Sequence, residues 1–112
     1  MRAAIFVLAA ALALTGCATV PAERILTFPE GTLLVTPDTA KIRAAYLATM
    51  PAAVRDLADA TPLWTVCGFW NARTRTGMAL PDPVVIAHER AHMLGVPHEA
   101  MSESTRHPDA CR

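Results

Sequence analysis

Three of the chain's four histidines fall in the run His88-Glu89-Arg90-Ala91-His92-Met93-Leu94-Gly95-Val96-Pro97-His98. Imidazole nitrogen is the commonest protein ligand for a transition metal. On a helix, residues four apart lie one turn on, about 6 Å along the axis, so His88 and His92 share a face. Two imidazoles placed this way can reach one Zn²⁺ at roughly 2.0–2.1 Å. Glu89 sits beside the first of them, where its carboxylate can take a proton from a metal-bound water. Gly95 can adopt the left-handed conformation that ends a helix and turns the chain back. That turn brings His98 in as a third nitrogen from outside the helix, and the fourth tetrahedral position stays open for water. The alternative is a buried helix whose histidines are hydrogen-bonded core residues. With this chain's composition, a chance match to all five positions has odds on the order of 10⁻⁵.

Written as H-E-x-x-H-x-x-G-x-x-H, the run resembles the extended zinc signature of the metzincin metallopeptidases. The resemblance covers residues 88–98 tightly and the preceding hairpin loosely. It implies His88, His92 and His98 as zinc ligands, Glu89 as general base and Gly95 as the turn residue. The family also places a methionine-containing turn beneath the metal. Met101, three residues past His98, is the methionine available and is closer than the usual spacing. The fourteen residues after His98 do not accommodate the helix that normally follows that turn. The small size also resembles minimal zincins, in which the third ligand is usually an acid from a later helix. Glu99, Glu103, His107 and Asp109 are the substitutes if Pro97 holds His98 away. His98 is preferred, because its spacing from Gly95 is the one the turn needs. His107 is otherwise a transition-state donor, a second-site ligand or an exposed tail residue.

Several elements must position these groups. Thr32–Thr36 reads as a strand stopped by Pro37, and Asp38 caps a helix over Thr39–Met50. Ile42, Tyr46 and Met50 share a face of that helix. Tyr46, the only tyrosine, reads as a packing residue, although some metzincins stabilise an oxyanion with a tyrosine. After Pro51, Ala52–Ala60 forms a second helix burying Val54, Leu57 and Ala58. Leu63–Trp70 alternates Trp64, Val66, Gly68 and Trp70 against Thr65, Cys67 and Phe69, a strand in which Gly68 marks a bulge or a close approach. Asn71–Thr76 is a loop and Gly77–Leu80 a returning strand, making an antiparallel hairpin. In zincins a strand beside the zinc helix offers its edge to an extended substrate, and here the segment before Pro81 takes that place by position. Asp82 caps a helix with Pro83 at its first position. Over Val84–Leu94, Ala87, Ala91 and Leu94 face the sheet while His88 and His92 face a cleft. The expected fold is α+β: a minimal zincin-like domain over residues 32–112, its small antiparallel or mixed sheet packed on the active-site helix.

The chain's 112 residues make one domain. Arg2 followed by the apolar run Ala3–Leu14, too short to span a bilayer, reads as a secretory signal. It ends in Leu14-Thr15-Gly16-Cys17, which resembles the bacterial lipobox. That resemblance implies a signal peptide over 1–16, lipid on Cys17 and a tether over 17–31, with an ordinary cut near Ala18 or an uncleaved anchor as alternatives. Ala18 after the cysteine resembles an outer-membrane address facing the periplasm. Lys plus Arg and Asp plus Glu are 10 each. Without Arg2 the balance is 9 against 10, a formal −1, and the scattered arginines leave no basic patch for nucleic acid. Cys67 and Cys111 read as a disulfide suited to an exported domain, closing a loop of about 45 residues worth roughly 3–4 kcal/mol. Free thiols or one further metal ligand are the other readings.

With no serine or cysteine nucleophile arranged elsewhere, the expected activity is zinc-dependent hydrolysis of peptide bonds in the cell envelope, by Glu-assisted attack of zinc-bound water. Its partners are a peptide or protein substrate and the membrane through the lipid anchor, with a further, unidentified protein open as a third. The alternative is a non-catalytic envelope lipoprotein, an adaptor or inactive peptidase relative, that uses zinc to fold. A third option, a domain that only exposes a peptide-binding edge, predicts no metal.

Overall fold

Leu26 and Phe28 before Pro29-Glu30, and Leu33 and Val35 after it, put apolar side chains on one face of the first hairpin. Strand β1 (Arg24–Phe28) pairs antiparallel with β2 (Gly31–Val35), with Leu26 opposite Leu33. The computed structural model describes residues 22–60 and 65–112. The signal segment, Cys17, Leu63 and Trp64 lie outside them. The tether expected through residue 31 gives way at Arg24 to this strand. Glu23 holds its start by accepting from Thr36 Oγ1 (3.0 Å) and Lys41 Nζ (2.8 Å).

The other edge of β2 takes β4 (Thr76–Ala79) in parallel, and β3 (Gly68–Asn71) closes the sheet antiparallel to β4, in the order β1-β2-β4-β3. A parallel pair needs a long crossover. Helices α1 (Thr39–Ala48) and α2 (Ala52–Ala60) lie in it. Asp38 caps α1 as expected, accepting from Lys41 N at 3.1 Å. That helix stops at Ala48 rather than Met50, because the residue before Pro51 is disfavoured in the helical region. Val54 and Leu57, expected in the core, are exposed. A polar contact holds α2 to α1, Arg43 Nη2 donating to the Ala58 carbonyl at 2.9 Å, and the apolar side of α2 turns outward. The third strand is shorter than Leu63–Trp70: Thr65–Cys67 is irregular, though Val66 is buried.

Strand alternation gives the sheet two working faces. Leu26, Phe28, Leu33, Trp70 and Ala79 pack with Val85 and Met93 of α3 (Pro83–Met93). Leu34, Phe69 and Met78 pack with Ile42, Tyr46 and Val66 on the opposite side. Among the described residues the domain is therefore α+β, with a small mixed four-stranded sheet and four helices, the last being α4 (Glu103–Arg106). Among those residues no helix is long and apolar enough to cross a membrane.

The rotation of α3 differs from expectation. Its buried stripe is Val85-Glu89-Met93, whereas Ala87 is exposed and Leu94 is 55% exposed. At about 100° per residue, Ala87 and Leu94 lie roughly opposite that stripe, and His88 and His92 lie on its flank. Arg90 locks the roll. It donates to Glu30 Oε2 (2.8 Å), holding that carboxyl below its ordinary range, and its guanidinium lies 4.1 Å from the Phe28 ring centre. At the start of α3, Asp82 Oδ1 accepts from Val84 N (2.9 Å) and Val85 N (3.1 Å). Cys67 is joined to Cys111, as expected, with Cα atoms 5.5 Å apart.

Asp82→Ala removes the acceptor for two first-turn amides and should lower stability by about 1 kcal/mol. The urea midpoint should fall at an unchanged m-value. An unchanged midpoint would mean that Pro83 alone sets the start of α3.

Candidate metal centre

The end of α3 delivers the third histidine. Gly95 takes φ +81°, its N–H donates to the His92 carbonyl (2.9 Å), and Val96 N–H donates to the Ala91 carbonyl (2.9 Å). This is a Schellman motif, the αL stop expected of Gly95. A Cβ at Gly95 would meet nothing within 4 Å, so the requirement is backbone conformation and not space. Pro97 then runs extended into a 3₁₀ turn over His98–Ala100.

The three rings converge through their Nε2 atoms. These stand 3.2 Å apart between His88 and His92, 2.9 Å between His92 and His98, and 3.2 Å between His98 and His88. Nitrogens at 2.0–2.1 Å from a tetrahedral centre would be about 3.3–3.4 Å apart. The Nδ1 of His88 lies 2.7 Å from the Thr105 carbonyl. A carbonyl can only accept, so Nδ1 carries the proton and the Nε2 of the neutral ring keeps a lone pair. Burial, followed by the neighbouring His88 and His98 rings, holds His92 below its ordinary value against a raising hydrogen bond to the Val96 backbone, which favours the neutral, ligating form. A single proton on Nε2 can bridge only one side of this triangle. Three lone pairs aimed at one point suit a cation, and His88, His92 and His98 could hold a metal ion.

Glu89 occupies the neighbouring position on the buried side. It is 3% exposed, its Oε1 lies 4.0 Å from His88 Nε2, and its Oε2 has no hydrogen-bond partner among the described residues. Burial pushes the carboxyl up to about 8. Gly68 leaves it room. A Cβ there would stand 3.0 Å from Glu89 Oε1, 3.1 Å from its Cγ and 2.9 Å from the Met78 carbonyl. The close approach legible at Gly68 in the sequence is thus an approach to the carboxylate. Thr105 and Arg106 carry no such sequence signal: Thr105 acts through its carbonyl and Arg106 on backbone carbonyls, and no side-chain pattern marks either.

A cavity of about 670 Å³ adjoins the histidines and Glu89, lined also by Tyr46, by residues 68–70 of β3 and by the tail residues 106–108 and 111–112. Its strand is β3 and not the segment before Pro81. Strand β4 is paired on both sides, so it has no edge to offer, whereas β3 is an edge strand whose outer side is unpaired among the described residues. Leu80 N donates to the Cys67 carbonyl (2.9 Å). By antiparallel alternation, Gly68 and Trp70 then turn their backbone N–H and C=O toward the free edge. Tyr46 packs on Phe69 at 5.7 Å, as a packing residue should, and also lines the cavity. Met101 is buried just past the His98 turn, and His107 is exposed at the cavity wall. Glu99, Glu103 and Asp109 are exposed and outside the histidine group.

Zn²⁺ at 100 times its dissociation constant should raise unfolding stability by about 2.7 kcal/mol, provided the unfolded chain does not bind it. His98→Ala should lose most of that gain while keeping the metal-free stability. A wild-type melting temperature unmoved by Zn²⁺, Co²⁺ or Ni²⁺ would mean that the three rings are only hydrogen-bonded to one another. The chain matches no protein-family model, no curated protein and no solved structure, so the functional reading rests on the arrangement of its own atoms.

Proposed function

We propose that this chain is a zinc-dependent peptidase of the cell envelope, resembling the metzincins, with Glu89 as its general base. The observation that carries the reading is the buried, half-unpartnered carboxyl beside three convergent imidazoles, which a cation held by those imidazoles would favour in its ionised, proton-accepting form. An orphaned buried carboxylate oxygen costs stability, and a purely structural metal site has no use for it. His88, His92 and His98 would hold the ion, and three imidazoles with an open position suit Zn²⁺. A divalent ion there supplies Lewis acidity toward a carbonyl and makes water more acidic.

The remaining chemistry belongs to the chain. Glu89 takes a proton as water oxygen bonds to the scissile carbonyl carbon, then returns it to the departing nitrogen as the C–N bond breaks. The free edge of β3 can receive an extended peptide through main-chain hydrogen bonds, binding it with little sequence selectivity. Export and lipidation at Cys17 would place this activity at the envelope, on the outer membrane facing the periplasm in a Gram-negative host. The Cys67–Cys111 bond suits an oxidising compartment.

A second reading, a non-catalytic lipoprotein stapled by zinc, draws support from the origin of the ligands. His88 and His92 come from α3 and His98 from the tail, so one ion would tie the tail to the helix. The two readings separate at Glu89. Glu89→Gln should keep the metal and lose about 10²–10⁴-fold in peptide cleavage, measured on a peptide library beside wild type. Metal in both proteins with cleavage in neither would favour the stapled lipoprotein.

A further inference from the structure

We infer that Arg106 is a positioning residue for the metal site, acting through His98, and that α4 is a clamp on two of the three ligands. The inference rests on metal binding by the three histidines and is independent of whether the chain is a peptidase.

Arg106 Nε donates to the His98 carbonyl at 2.8 Å, and Nη2 donates to the carbonyls of Met101 (3.2 Å) and Glu99 (3.5 Å). One guanidinium thereby gathers the acceptors of the turn that carries the third ligand. A planar fork with five fixed donors can do this, and an ammonium cannot reproduce it. The preceding residue holds another ligand, since the Thr105 carbonyl takes the Nδ1 proton of His88 at 2.7 Å. Adjacent residues of one short turn therefore set the ring of His88 and the backbone of His98, which come from different elements. His92 is held separately, within α3 and by the Val96 backbone.

A four-residue helix cannot stand alone. Ser102 caps α4 at one end by accepting from Thr105 N. Five residues beyond Arg106, Cys111 bonds Cys67, the residue before Gly68. The clamp is thus anchored to the strand that accommodates Glu89. Substitution at residue 105 leaves its carbonyl in place, so the side of the clamp that a substitution can release is the Arg106 hold on the His98 backbone.

The experiment is Co²⁺ binding to the full chain by chelator competition, with the visible spectrum of the loaded protein, for wild type, Arg106→Ala, Arg106→Lys, His98→Ala and the Arg106→Ala/His98→Ala pair. Outer-shell partners of metal ligands typically change affinity 10–100-fold. Arg106→Ala should weaken binding by about that factor and alter the Co²⁺ bands, with Arg106→Lys in between. In the His98→Ala background the same substitution should have little further effect, because its route to the metal is already gone. Wild-type affinity and spectrum in Arg106→Ala would overturn the inference, and so would an equal loss in both backgrounds. If Arg106→Ala does not fold, Arg106→Lys with and without His98→Ala makes the same comparison: a loss confined to the His98 background supports the clamp, and no loss or an equal loss overturns it. Failure of wild type to bind Co²⁺ would instead overturn metal binding by the three histidines, and the inference with it.

Discussion

Burying the Glu89 carboxyl is the constraint that the rest of the domain accommodates. The group sits in the middle of the stripe that α3 presents to the sheet, between Val85 and Met93, where an aliphatic side chain would normally be found. Its oxygens gain little from the protein in return for lost hydration: one is 4.0 Å from His88 and the other has no partner among the described residues. The sheet accommodates it with Gly68, whose missing side chain is the space the carboxyl fills. The helix is fixed in this roll from several directions, by the Asp82 cap, by Arg90 reaching Glu30 and Phe28, and by Val85 and Met93 in the core. Each of these contacts limits the rotation that would bring Glu89 out into water.

The histidines are arranged on the same logic with different means. Helix geometry puts His88 one turn from His92, and the Thr105 carbonyl and the Val96 backbone orient the two rings. The Gly95 stop reverses the chain so that His98 approaches from outside, and the α4 turn holds the result from behind. Polar groups of the tail engage the His88 ring and the His98 backbone, so the tail is a wall of the cavity as well as a brace. Arg106, His107, Pro108, Cys111 and Arg112 of the tail line that cavity.

Local chemistry is legible in the sequence, and long-range packing is not. Asp38, Asp82, Pro83 and Gly95 act where their types predict, because caps and stops are decided within four or five residues. The 88–98 spacing predicts three converging nitrogens for the same reason. The β3–β4 hairpin is readable, but the parallel pairing of β2 with β4 is not, since the long crossover between them leaves no mark in either strand. That pairing makes β3 the outer strand and moves the open edge away from the segment before Pro81. The roll of α3 is ambiguous in the sequence because Ala87, Ala91 and Leu94 form a plausible apolar face, and only the position of the sheet decides between it and a stripe containing a glutamate. Likewise Val54 and Leu57 have helical spacing and are nonetheless exposed.

The bond between Cys67 and Cys111 encloses Gly68, Glu89, the three histidines and Arg106 in one covalent ring of chain. A single backbone scission inside that ring leaves two pieces that stay attached. The exposed turn residues Ala72, Arg73 and Thr74, between β3 and β4, lie where such nicks concentrate. A chain cut there would keep its mass and its anchored strand until reduced. Its integrity is therefore a matter of sulfur redox state as much as of peptide connectivity.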